Sequence, residues 1–186
     1  MKYWFLFLLF FLNGVVNATP SFHQYDTFDA AIKRLYPNAT VVSKDITLDH
    51  HEIATIEEWT HQLLPSANMV VHYITKDQTL QGYALILDQL GKHYPITFLV
   101  TITPDFMVNE VVVLIYREDY GNKVRKKRFL NQFQKKSLSD PIAVNNDITS
   151  ISGATISSYA IANGVKQSLA ILDSVKDKLQ KQVKSI

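Results

Sequence analysis

An α+β domain is the fold this sequence predicts: an antiparallel sheet meander of about four strands, packed with helices and followed by a long C-terminal helix. Three observations predict it. Apolar runs in the middle of the chain are joined by connections too short for a parallel crossover, which takes a dozen residues or more. Helical spacing of apolar residues flanks that region on both sides. No internal repeat or linker divides the chain. Its 186 residues, 47% apolar and 19% charged, have the composition of a folded globular domain, and a chain of this length buries roughly 70% of its unfolded surface.

The first element is a targeting segment. Met1 and Lys2 give a positive start, Tyr3 to Leu12 is unbroken apolar and aromatic sequence, and Val16, Asn17 and Ala18 are residues a signal peptidase reads. Tyr3 to Val16 is 14 residues, short of the ~20 needed to span the hydrocarbon. The expectation is a signal peptide over 1–18, cleaved near Ala18, and a protein exported to the periplasm or the outer face of the cell envelope. Residues 19–66 then form a helical N-terminal part of the same domain that occupies 67–186.

Within 19–66, Phe28, Ala31, Ile32 and Leu35 predict a short helix from Asp26 to Leu35, ended by Tyr36, Pro37 and Asn38. Val41 and Val42 suggest a brief strand. Asp49 with Glu52 three residues on is a capping box for a second helix, which buries Ile53, Ile56, Trp59 or Thr60, and Leu63, and stops at Pro65. Four strands follow: Met69 to Ile74, Leu80 to Asp88, Tyr94 to Thr103 and Val108 to Arg117. After a polar stretch, Phe129 to Lys135 is an amphipathic turn or two. Ile156 to about Gln180 is the long helix, with Ala160, Ile161, Val165, Leu169, Leu172, Val175 and Leu179 in one stripe.

Composition excludes several chemistries. The chain has no cysteine, hence no disulfide, thiol catalysis, thiolate-held metal or haem attachment. A net charge of +2 argues against nucleic acid as a partner. His51 and Glu52 are followed by Thr55 where a zinc protease needs its second histidine, so no metal site is predicted. No Gly-Xaa-Ser-Xaa-Gly elbow, phosphate loop or dinucleotide glycine pattern occurs.

The sharpest signal is Ser152-Gly153-Ala154-Thr155, small residues placed before the last helix, with Ile156, Ser157 and Ser158 after them. A helix N-terminus offers unpaired N–H groups and the positive end of its dipole to a phosphate. The alternative is that Thr155 only caps the helix.

The run DITSISGATISS, Asp147 to Ser158, resembles the flavinylation motif of the periplasmic FMN-binding domain family, which includes FMN-carrying subunits of the sodium-pumping NADH:quinone reductase and of the Rnf complex. The resemblance extends from Gly82 through GYALILDQLGKHYPITFLVTITPD, YREDYG, VR, RFLNQF and KSLSDP to about Asp173. It implies that a flavin transferase splits FAD and joins FMN covalently, through a phosphoester, to Thr155. The protein would then shuttle electrons from a membrane-bound or soluble donor to an acceptor, and act as a carrier more than a stand-alone enzyme. The acid often found six residues before the threonine is Thr149 here, while the one eight before is Asp147. Thr149 keeps open a second reading, an envelope module holding FMN reversibly or serving as an accessory subunit; a small flavin-dependent reductase is a third.

The remaining candidates for the flavin surround are Tyr83, Tyr94, Tyr116, Tyr120, Phe129 and Phe133 for stacking, with core packing as the alternative for the last two. Arg117 and Glu118 follow Tyr116 in the family's segment, and Arg117 would place positive charge near the ring. His93 and Pro95 flank Tyr94 at a strand start. Between Lys123 and Lys136 lie seven basic residues and no acid. Arg125 holds the family's valine-arginine position; the lysines either line the phosphate side, steer an acidic partner, or are a solvated face.

Overall fold

The structure is a computed structural model and describes residues 23–183; the expected signal peptide lies outside them. The chain enters as β1 (His23–Gln24), α1 (Phe28–Leu35), β2 (Thr40–Thr47) and α2 (His50–Thr60). The meander follows as β3 (Asn68–Lys76), β4 (Thr79–Leu90), β5 (Pro95–Ile102) and β6 (Val108–Tyr116). After a 3-10 turn at Asn122–Arg125 come α3 (Lys127–Leu130), a second 3-10 turn at Asn131–Phe133, α4 (Thr155–Ser174) and α5 (Lys176–Val183).

The sheet is antiparallel throughout but has six strands, in the order β1-β6-β5-β4-β3-β2. The four-strand expectation missed both edges for different reasons. β1 is two polar residues with no alternation to read. β2 extends well beyond Val41 and Val42, through Ser43, Lys44 and Asp45, because an edge strand keeps its ladder to β3 while one face stays wet. Tight turns join the meander; Asp77 and Gln78 both take positive φ, 49° and 59°, as a two-residue hairpin turn requires.

Helices cover both faces. Ala31 and Ile32 of α1 pack on Ile74, Ala84, Leu99 and Leu114. The opposite face carries the main core, where α4 lies over Leu85, Phe98, Val100 and Val113. All seven stripe residues of the long helix are buried, but it is two helices, interrupted at Val175, not one. Gly164 brings α4 close to the sheet: a Cβ there would lie 2.4 Å from Phe98 Cζ and 2.8 Å from Gln89 Cγ. The capping box of α2 forms as expected, and Glu52 also pairs with Lys178 of α5. Thr60, not Trp59, is buried on α2, and Leu63 is exposed beyond its end. β3 and β4 pair only from His72/Ala84 to Lys76/Thr79 and then part; the gap holds a cavity of about 430 Å³ floored by Gln167 and Ile171.

Candidate functional site

The N-terminus of α4 is built differently from those of α1 and α2. Thr27 caps α1 and Asp49 caps α2, each through its side chain. At α4 the N-cap is Ala154, no side chain caps, and the first turn holds no acid. Thr155 is therefore the first helical residue, exposed, and does not serve as the cap. Its hydroxyl has no hydrogen-bond partner among the described residues, and the first-turn N–H groups of a 20-residue helix remain open to an anion.

A short turn presents that threonine. Ala154 N–H donates to Ile151 C=O at 2.9 Å, and Gly153 between them takes φ +77° with open space around it, the left-handed region glycine enters without cost. Ser158, fully buried, closes the turn from within: its hydroxyl donates to Ala154 C=O at 2.9 Å and accepts from Ile151 N–H at 3.2 Å. Its role is to shape the turn.

Beyond the turn, a cavity of about 340 Å³ is bounded by Lys92 and His93, by Glu118 to Gly121, and by Gly153 to Ser157. Two buried polar nodes hold its walls. The Tyr116 phenol donates to Tyr120 C=O, so the Ser157 hydroxyl, 2.8 Å away, is the donor in their mutual bond. Burial pushes the Tyr116 phenol up, with the Ser157 bond opposing, so it stays protonated. Glu118, 6% exposed, accepts from the N–H groups of His93 and Tyr94 and so fastens the β4–β5 turn to the wall. Replacing Glu118 with Ala leaves two N–H groups without their acceptor and should cost about 2 kcal/mol. Glu118→Gln, which keeps an acceptor oxygen, should recover most of it in urea denaturation.

On the other side of Ser152 a second cavity, about 570 Å³, is lined by Lys123, Lys126 and Arg128 and by Thr149 to Ser152. Gln132 clasps the backbone of Thr149, accepting its N–H at 2.8 Å and donating to its C=O at 3.1 Å. Asp147 anchors the approach: it accepts from Lys136 Nζ at 2.7 Å, Ala143 N–H at 2.8 Å and Ile142 N–H at 3.1 Å. Burial pushes its pKa up, but these donors outweigh burial and hold the carboxyl below its ordinary value. A depressed carboxyl contributes stability that is present above its unfolded pKa and is lost as pH falls through the folded one. Thermal stability should therefore fall on acidification below about pH 4. Asp147→Asn should lose about 2 kcal/mol at neutral pH and flatten that decline.

The structure thus brings Gly153, Ala154, Thr155, His93 and Glu118 to one cavity, with Tyr116 behind its wall and Ser152 on the neighbouring one. Other candidates lie elsewhere. Tyr83 is buried in an aromatic cluster with Tyr73 and Phe106, ring centroids 5.5 and 5.8 Å away, seven residues down β4 from the end near the cavity. Arg117 follows Tyr116 and points to the other face, donating to Pro95 C=O and Thr97 Oγ1, both at 2.9 Å, beside Asp88. Tyr94 and Pro95 border neither cavity. Arg125 stacks over Tyr25 at 4.4 Å. Phe129 and Phe133 are buried edge-to-face, 5.4 Å apart, in the core, with Phe129 also bordering the second cavity. Lys92, Gly121 and Ser157 are wall residues absent from the sequence candidates; Lys92 beside Gly91 and Gly121 beside Asn122 carried turn signals, Ser157 none.

The family model of the FMN-binding domain matches residues 91–170, from the β4–β5 turn through most of α4. Among solved structures, the fold is similar to the crystal structure of NqrC from Shewanella oneidensis, at 16% identity and a TM-score of 0.55, over 79% of this chain and 85% of that one. No curated protein sequence matches the chain. The stretch that matches the FMN-binding domain, residues 91–170, is the one that builds both walls of the first cavity and most of the uncapped helix.

Proposed function

We propose that the chain is an exported electron-transfer flavoprotein that carries FMN covalently through a phosphoester to Thr155. The observation that supports this most directly is the head of α4, a long helix with no capping side chain and no acid in its first turn, whose leading residue offers an exposed hydroxyl that has no hydrogen-bond partner among the described residues. A phosphodiester there retains one negative charge, which the open N–H groups and the helix dipole stabilise. Gly153, where even a Cβ would meet nothing within 4 Å, leaves room for the transferase that would make the bond.

The residues present fit the cofactor. The first turn of α4 would hold the phosphate, and Tyr120, 86% exposed at the rim, offers a ring face, with Lys92 and His93 opposite. FMN supplies the electron chemistry when bound; the protein fixes its position and shields one side. Arg117, engaged with Pro95 and Thr97, has no part in this account. Covalent attachment also suits an exported protein, since outside the cytoplasm a reversible site would empty as free flavin is diluted. The redox donor and acceptor would approach the open rim beside Tyr120.

The test is mass spectrometry of the mature chain produced with a flavin transferase. The peptide containing Thr155 should carry an FMN adduct. Flavin that co-purifies but is released entirely on denaturation would instead establish the reversible reading that Thr149 motivates.

A further inference from the structure

We propose that the second cavity, beside Ser152, binds a phosphomonoester of mononucleotide size, and that Thr149 is what leaves it open to one. Of the basic run between Lys123 and Lys136, two members are engaged within the fold: Arg125 on the Tyr25 ring and Lys136 on Asp147. Lys123, Lys126 and Arg128 instead line one concave space, and among the described residues none of the three has an ion pair. Cations that converge without a counter-charge repel one another, and an arriving anion relieves that repulsion.

The remaining wall selects the kind of anion. Thr149, Ser150 and Ser152 border the cavity and carry hydroxyls, and no carboxylate lines it. A phosphomonoester brings close to two negative charges and three strong acceptor oxygens, matching three cations and three hydroxyl donors. A carboxylate brings one charge and two oxygens and leaves most of the set unmatched. The cavity, about 570 Å³, falls in the range of small-molecule sites, roughly 300–1,000 Å³, and is larger than a bare phosphate fills. Buried Phe129 and the partly buried Ile151 give it an apolar side for the rest of the ligand. An acid at position 149 would set a permanent carboxylate among the same cations.

Thr155 lines the other cavity, so this site does not depend on flavin attachment. Calorimetric titration of the mature chain, made with and without flavin, at fixed ionic strength with AMP, inorganic phosphate and adenosine tests it. AMP should bind both forms alike and adenosine neither. AMP tighter than inorganic phosphate supports a mononucleotide-sized ligand; equal affinity would overturn the size assignment and leave a phosphate site. Thr149→Asp, at an exposed position, and the pair Lys126→Ala with Arg128→Ala should each weaken AMP about tenfold or more, with unchanged melting temperature. No binding by the wild type, or undiminished binding by Thr149→Asp, would overturn the proposal.

Discussion

Thr155→Val should abolish covalent flavin: the variant produced with a flavin transferase is expected to lose all colour that survives denaturation, and the Thr155 peptide to carry no FMN adduct. Valine keeps the shape of threonine and removes only the hydroxyl. Because that hydroxyl has no partner among the described residues and does not cap α4, the change should leave stability within about 0.5 kcal/mol. Thr155→Ser, which restores an oxygen at the same place, should regain attachment. The pair separates the chemical role of the residue from any structural one. Colour persisting through denaturation in the valine protein would move the bond to another side chain, with Ser152 and Ser157 next along the same turn.

How far the sequence reaches toward this site depends on whether a residue acts locally or across the fold. The turn before α4 was legible because its meaning is local: small residues, one glycine and a following apolar stripe are adjacent in the chain. The capping box at Asp49 and Glu52 was legible for the same reason. What failed were inferences from density. The six candidate aromatics Tyr83, Tyr94, Tyr116, Tyr120, Phe129 and Phe133 read as one surround, but strand alternation and strand length scatter them: Tyr83 sits seven residues down β4 from the cavity end, and Phe129 and Phe133 pack in the core. Tyr116 and Arg117 are consecutive, and at the end of a strand consecutive side chains leave by opposite faces, so only the first reaches α4.

Other failures came from polar groups whose partners are remote in sequence. Nothing near Glu118 announces that its carboxylate fastens His93 and Tyr94, 25 and 24 residues earlier. Gln132 holds Thr149 by both backbone groups across 17 residues, a clasp with no signature in either neighbourhood. The basic run was visible, but which members are neutralised within the fold and which converge unpaired depends on Tyr25 and Asp147, and only the tertiary structure joins them.

Gly121 and Gly153 both take positive φ, +94° and +77°, on either side of the first cavity, yet alanine should act very differently at the two. At Gly153 a Cβ meets nothing within 4 Å, so Gly153→Ala carries only the backbone penalty of the left-handed region, about 1 kcal/mol. At Gly121 a Cβ would lie 2.5 Å from the Tyr116 hydroxyl and 2.8 Å from Ser157 Oγ. Those two atoms are the buried hydrogen-bonded node that ties the wall to α4, so neither moves aside without breaking a bond the other needs. Overpacking of that kind costs about 1–3 kcal/mol beyond the strain, and Gly121→Ala should therefore lose about 3 kcal/mol in all. For a domain of this size that lowers the melting temperature by roughly 6–12 °C. Flavin loading separates the two further. Gly153→Ala leaves the wall intact, whereas Gly121→Ala displaces Ser157 and with it the first turn of α4, so loading of Thr155 should fall even at temperatures where the protein is folded. Equal destabilisation by the two alanines would show that the Tyr116–Ser157 node yields freely and does not position the helix.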